Sequence, residues 1–131
     1  MRAHFGLATD DSDRTRGAAL VEFAIILPVL ILLIFGIVEF GRGYHAKTTL
    51  THAAREGVRV AALDTGDPAQ VARDAATNIA PGAITVVVAP SPCVHGQPVT
   101  VTLEYDHSYV IPLFGSGTWT LEGTGVMRCG G

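Results

Sequence analysis

Gly17, Ala18 and Glu22 are the residues whose types and spacing suggest chemistry in this chain. Glu22 stands just inside an apolar run that continues through AIILPVLILLIFGIV to Val38. A carboxylate in a membrane-length segment costs about 2.5–3.5 kcal/mol at the helix centre on insertion scales, so it calls for a compensating partner. Glu22 is also the fifth residue after Gly17. A cut after that glycine would leave a new α-amine on Ala18, one helical turn from the carboxylate and able to neutralise it. The chemistry implied is proteolytic maturation followed by charge pairing. The bland alternative is a glutamate near the interface that snorkels to headgroups and needs no partner.

These residues must be positioned by the apolar run itself. From Ala18 to Ile37 it has about 20 residues, enough to cross ~30 Å of hydrocarbon as a helix. A buried helix of a soluble protein is a weaker reading, because a chain of 131 residues has too little other material to cover it. A cleaved signal peptide could use Arg14 and Arg16 as its basic region. The stretch is long for that, however, and Glu39-Phe40-Gly41-Arg42 follows it in place of a small-residue cleavage site. A retained anchor is expected. Pro28 removes one helical hydrogen bond within the span and should bend it. Residues 1–17 are polar and read as a disordered leader.

Charge and cysteine usage narrow the rest. A net charge of −3 argues against a nucleic-acid partner, which a basic stripe would signal. The chain has 2 cysteines, Cys93 and Cys129, too few for a closed structural zinc site. If the C-terminal half lies outside the cytoplasm, a disulfide between them is the natural reading. Arg14 and Arg16 before the span are matched by Arg42 and Lys47 after it, so the positive-inside rule leaves orientation open. The cysteines favour an N-terminus inside and a C-terminus outside.

The helix is expected to run on past the membrane. Leu50, Ala53, Ala54, Gly57, Val58, Ala61 and Ala62 follow a helical stripe, with His52, Arg55, Glu56 and Arg59 on the opposite side. The stripe is mostly small, which suits close approach of another backbone. Asp67, Pro68 and Gln70 form a capping-box start for a second helix reaching about Ile79, and Pro81-Gly82 ends it. Ile84–Ala89, Val99–Tyr105 and Thr118–Met127 then read as strands. The fold class is α+β: a long N-terminal transmembrane helix continuing outside the membrane, packed with a short helix and a small antiparallel sheet. The divisions are a leader at 1–17, the helix at 18–63 and an extracytoplasmic domain at 64–131.

No catalytic constellation is found. The 5 histidines have no ligand spacing, and Gly115-Ser116-Gly117 is not a nucleophile elbow. No phosphate loop or metalloprotease motif occurs, so no cofactor, metal or small-molecule substrate is expected. Glu39 and Arg42, an i, i+3 pair at the far end of the span, read as an interfacial anchor. Arg55, Glu56 and Arg59 read either as a solvated helix face or as an intersubunit contact.

Gly17, Glu22, Phe23, Pro28, the segment Phe35-Gly36-Ile37-Val38-Glu39-Phe40-Gly41-Arg42 and Ala53-Ala54-Arg55-Glu56-Gly57-Val58-Arg59 together resemble the TadE-like family. These are pseudopilins or minor pilins of the tight-adherence (Flp-type) pilus system, and the resemblance covers residues 16–62. It implies that a membrane-embedded prepilin peptidase cuts between Gly17 and Ala18 at the cytoplasmic face. It further implies that Glu22 pairs with the N-terminal amine of a neighbouring subunit. The reading of the residues themselves leaves open whether that pairing is made within one chain or between two.

The expected protein is therefore a non-enzymatic, single-pass membrane protein. Its partners would be membrane lipid, a prepilin peptidase and other pilin or assembly subunits. It would assemble through Glu22, Phe23 and the helix residues Pro28, Ala54, Arg55, Glu56, Gly57 and Arg59. The rival is a membrane-anchored binding module whose helix is only a tether.

Overall fold

In the computed structural model, residues 11–130 are described. Helix α1 runs Asp11–Leu63, 53 residues without a break at Pro28. At 1.5 Å per residue that is about 80 Å. The helix starts before Ala18, so the stretch from Asp11 to Gly17 is helical where a disordered leader was expected. Once the apolar segment has nucleated a helix, each further residue adds a hydrogen bond at little extra cost. Residues 1–10 of the expected leader, and Gly131 at the other end, lie outside the described residues.

Two backbone contacts finish α1. Asp64 takes a left-handed conformation (φ 50°), and Thr65 N–H donates back to Val60 O at 3.3 Å. That is the hydrogen bond of a Schellman end. Gly130 N–H donates to Ala62 O at 2.9 Å, so the chain's far end satisfies a carbonyl that the helix terminus leaves free.

Helix α2 spans Pro68–Ala75. Asp67 caps it as expected, its Oδ1 accepting from Ala69 N at 2.9 Å and Gln70 N at 3.3 Å. The reciprocal half of the capping box is not made: Gln70 Nε2 donates instead to Asp74 Oδ1 one turn on, at 2.9 Å. The helix also stops short of Ile79. Ala76 is its C-cap and Asn78 turns into the left-handed region (φ 69°), which redirects the chain toward the sheet.

Strands β1 (Ile84–Ala89), β2 (Pro98–Ile111) and β3 (Gly115–Arg128) form one antiparallel sheet in the order β1-β2-β3. Strands β2 and β3 are each 14 residues long, well beyond the expected Val99–Tyr105 and Thr118–Met127. They make a hairpin paired from Pro98↔Arg128 to Ile111↔Gly115. The extension takes in Asp106 and Ser108, polar residues of types common in loops. Both occupy outward positions of the pleat, while His107 between them is buried.

The core lies between the outer half of α1 and the inner face of the sheet. Leu50, Ala53, Ala54, Val58, Ala61 and Ala62 from the helix meet Ile84, Val99, Val101 and Leu103 from the strands, all buried. The helix–sheet approach is backbone to backbone. A Cβ at Gly125 would lie 2.6 Å from Ala54 O, and one at Gly123 would overlap the Leu50 carbonyl. Gly57 does the same for α2, since a Cβ there would sit 2.8 Å from the Ala72 Cβ. The small residues of the stripe thus bring the chain's own sheet and second helix within contact.

A disulfide joins Cys93, in the loop after β1, to Cys129, just past β3, with Cα atoms 5.9 Å apart. Beside it, Gly96 N–H donates to Cys129 O and Cys129 N–H to Gln97 O, at 2.9 and 2.8 Å.

Candidate functional site

The N-terminal half of α1 stands clear of the domain. Its most apolar 18-residue stretch has a mean hydropathy of 2.9, and none of it is buried. Phe23 is 58% exposed, and Leu20, Ile25, Ile26 and Val29 beside it are exposed as well. A soluble protein would cover such a surface with its own residues, whereas a bilayer or other helices cover it from outside. Gly17, Ala18 and Glu22 all lie exposed on this segment, with nothing within 4 Å of a Cβ placed at Gly17. Glu22 makes no hydrogen bond or ion pair among the described residues. In this unbroken helix the Ala18 amide is an interior backbone group. Cleavage there would turn it into a helix N-terminus carrying a full positive charge one turn from Glu22.

The remaining sequence-derived candidates fall into two groups. Ala54 and Gly57 are buried, one beneath Gly125 and the other against α2, so both serve packing within the chain. Arg55, Glu56 and Arg59 point to solvent and form no ion pair among the described residues. Pro28 lies on the exposed apolar surface. The structure therefore brings Gly17, Ala18, Glu22 and Phe23 together at one end of α1. The residues from Ala54 to Arg59 sit at the level of the domain.

A second cluster forms around the expected Glu39–Arg42 pair, and its cover by the hairpin was not foreseen from the sequence. Glu39 is buried to 8% exposure, and Arg42 Nη1 donates to its Oε1 at 3.2 Å. The other carboxylate oxygen is buried without a hydrogen bond among the described residues. The cover comes from the far end of the hairpin: Tyr109, Ile111 and Trp119 share a groove with Gly36, Glu39 and Phe40. Trp119 lies over the helix, its ring 3.0 Å from where a Gly43 Cβ would be. Its indole packs near His107 and Tyr109, with ring centroids 6.1 and 5.3 Å away. The available signal was alternation, since Tyr105, His107, Tyr109 and Ile111 all fall on one face of a strand. No group of three or more His, Cys, Asp or Glu able to hold a metal gathers among the described residues.

An uncovered apolar helix that runs into a small disulfide-linked α+β domain has the form of a membrane-anchored protein. Residues 17–59 match the TadE-like protein family, which agrees with the resemblance seen in the sequence. No curated protein and no solved structure matches the chain. The match supports, in general terms, a minor-pilin role associated with the tight-adherence pilus, with pilin or assembly subunits as partners. The family is one of structural pilus components.

Proposed function

We propose that this chain is a minor pilin or pseudopilin that is cut after Gly17 and assembles through the helix beginning at Ala18. The observation that carries the reading is Glu22. It is exposed on an apolar helix, has no partner among the described residues, and stands five residues beyond a glycine at the start of the family match. Isolated in hydrocarbon, that carboxylate is unfavourable. Paired with the ammonium created on Ala18, in the same chain or a neighbouring subunit, both charges are neutralised. Gly17 also helps the cut. A glycine inside a helix costs about 1 kcal/mol relative to alanine, which makes local unwinding for a peptidase easier at this position than around it.

In this reading the leader is cytoplasmic and the disulfide-linked domain faces the oxidising side of the membrane. Arg55, Glu56 and Arg59, on the solvent face of α1, are then available to neighbouring subunits.

The test is Glu22→Ala in a strain that carries the cognate pilus genes. The variant should enter the membrane as well as the parent does, or better, while surface pili counted by electron microscopy fall sharply. Normal piliation with Glu22→Ala would instead favour a helix that is only a tether for the outer domain.

A further inference from the structure

The tip of the β2–β3 hairpin points back along α1 toward the apolar span. Strand β3 runs alongside α1 in the same direction: Trp119 lies over Gly43, and Gly125 lies against Ala54. Four residues of strand from Trp119 back to Gly115 cover about 13 Å. On the helix that equals about nine residues, which puts the start of β3 level with roughly residue 34. Ile111, at the end of β2, lines a groove with Gly36 and Phe40, as this alignment requires. Leu113 and Phe114 in the turn beyond are 89% and 75% exposed, the most exposed large apolar side chains of the domain.

Both elements lose their charges toward the span. Along α1 no charged residue occurs from Phe23 to Val38, and Glu39 and Arg42 mark the far end. Along the hairpin none occurs from Ser108 to Leu121, between Asp106 and Glu122. Phe40, Tyr44, Tyr109 and Trp119 sit near this boundary, where membrane proteins carry their aromatic belts. The turn is closed by Phe114 N–H donating to Ile111 O at 3.1 Å, which leaves fewer bare polar groups to desolvate.

The geometry points to a second membrane contact: the Leu113-Phe114 tip inserts into the outer leaflet beside the helix, with Tyr109 and Trp119 at headgroup level. The occupant of this apolar surface is lipid, because the tip lies level with the span's own apolar surface and continues it. The domain is thereby held against the bilayer at two points and kept from swinging about the helix. The assignment rests on α1 being the membrane anchor. It also accounts for Glu39, whose carboxylate is buried beside Tyr109 and Trp119 at the membrane surface while its partner Arg42 stays exposed.

Trp119 is the chain's 1 tryptophan, so its fluorescence reports directly on this region. The full chain is reconstituted into phosphatidylcholine vesicles and recovered by flotation. Trp119 should be quenched by lipids brominated near the headgroup end of the acyl chains and spared by aqueous iodide. In a Phe114→Trp, Trp119→Phe variant the tip indole should be quenched more strongly by bromines placed deeper in the chains. Replacing Leu113 and Phe114 together by aspartate should red-shift Trp119 emission and open it to iodide, while the chain still floats. Those substitutions are at exposed positions, and retention of the disulfide reports that the domain has folded. Wild-type Trp119 that floats with the vesicles yet is open to iodide and untouched by brominated lipid overturns the proposal. So does protection from both quenchers, which would mean that protein covers the tip. A chain that fails to float removes the anchor, and this contact with it.

Discussion

The backbone of Gly125 rests on the carbonyl of Ala54, so that a single added carbon would come within 2.6 Å of the oxygen. Helix and sheet here touch through main chain, and the atom in the way belongs to a helix backbone that cannot rotate aside. Gly125→Val should therefore destabilise the domain by about 3 kcal/mol, the upper end of usual overpacking costs. Gly123→Val, facing the Leu50 carbonyl, should do the same. The measurement is the urea midpoint of the full chain in detergent, followed by Trp119 fluorescence.

The outer domain is small and its core is built largely of alanine and valine, so the disulfide should matter. Cys93 and Cys129 close a loop with a sequence separation of 36. Chain-entropy reasoning assigns such a closure about 3–4 kcal/mol. Replacing both cysteines with serine should lower the urea midpoint accordingly. Alkylation of the non-reduced parent should leave its mass unchanged, and labelling of both thiols would refute the bond.

Asp67→Ala removes the acceptor for two amides at the start of α2. The loss should be about 1 kcal/mol, as for other caps. Asp67→Asn should restore most of it. A purely electrostatic role would leave the asparagine variant as weak as the alanine one, and the same urea titration separates the two.

Much of this arrangement was legible in the chain. The stripe from Leu50 to Ala62 announced a buried face, and its small residues announced a close backbone neighbour. That neighbour turned out to be Gly123 and Gly125 of the same chain. Asp67 and Pro68 marked the second helix start because capping is local chemistry. What escaped depended on distant partners. Glu39 looks like a surface anchor until the hairpin lays Tyr109 and Trp119 over it. The hairpin's length was hidden because Asp106 and Ser108 resemble loop residues unless their outward position on a pleat is known. The helical stretch from Asp11 to Gly17 was missed because its composition is polar, whereas its helicity is inherited from the apolar segment after it.

Maturation at Gly17 would be read first in the N-terminus of the protein. The chain is co-expressed with its cognate prepilin peptidase, extracted from membranes and weighed intact, alongside a pilin known to be cut by the same enzyme. The wild-type protein should begin at Ala18, and a Gly17→Leu variant should keep residues 1–17. A wild-type chain still beginning at Met1 while the control pilin is cut would contradict maturation at Gly17.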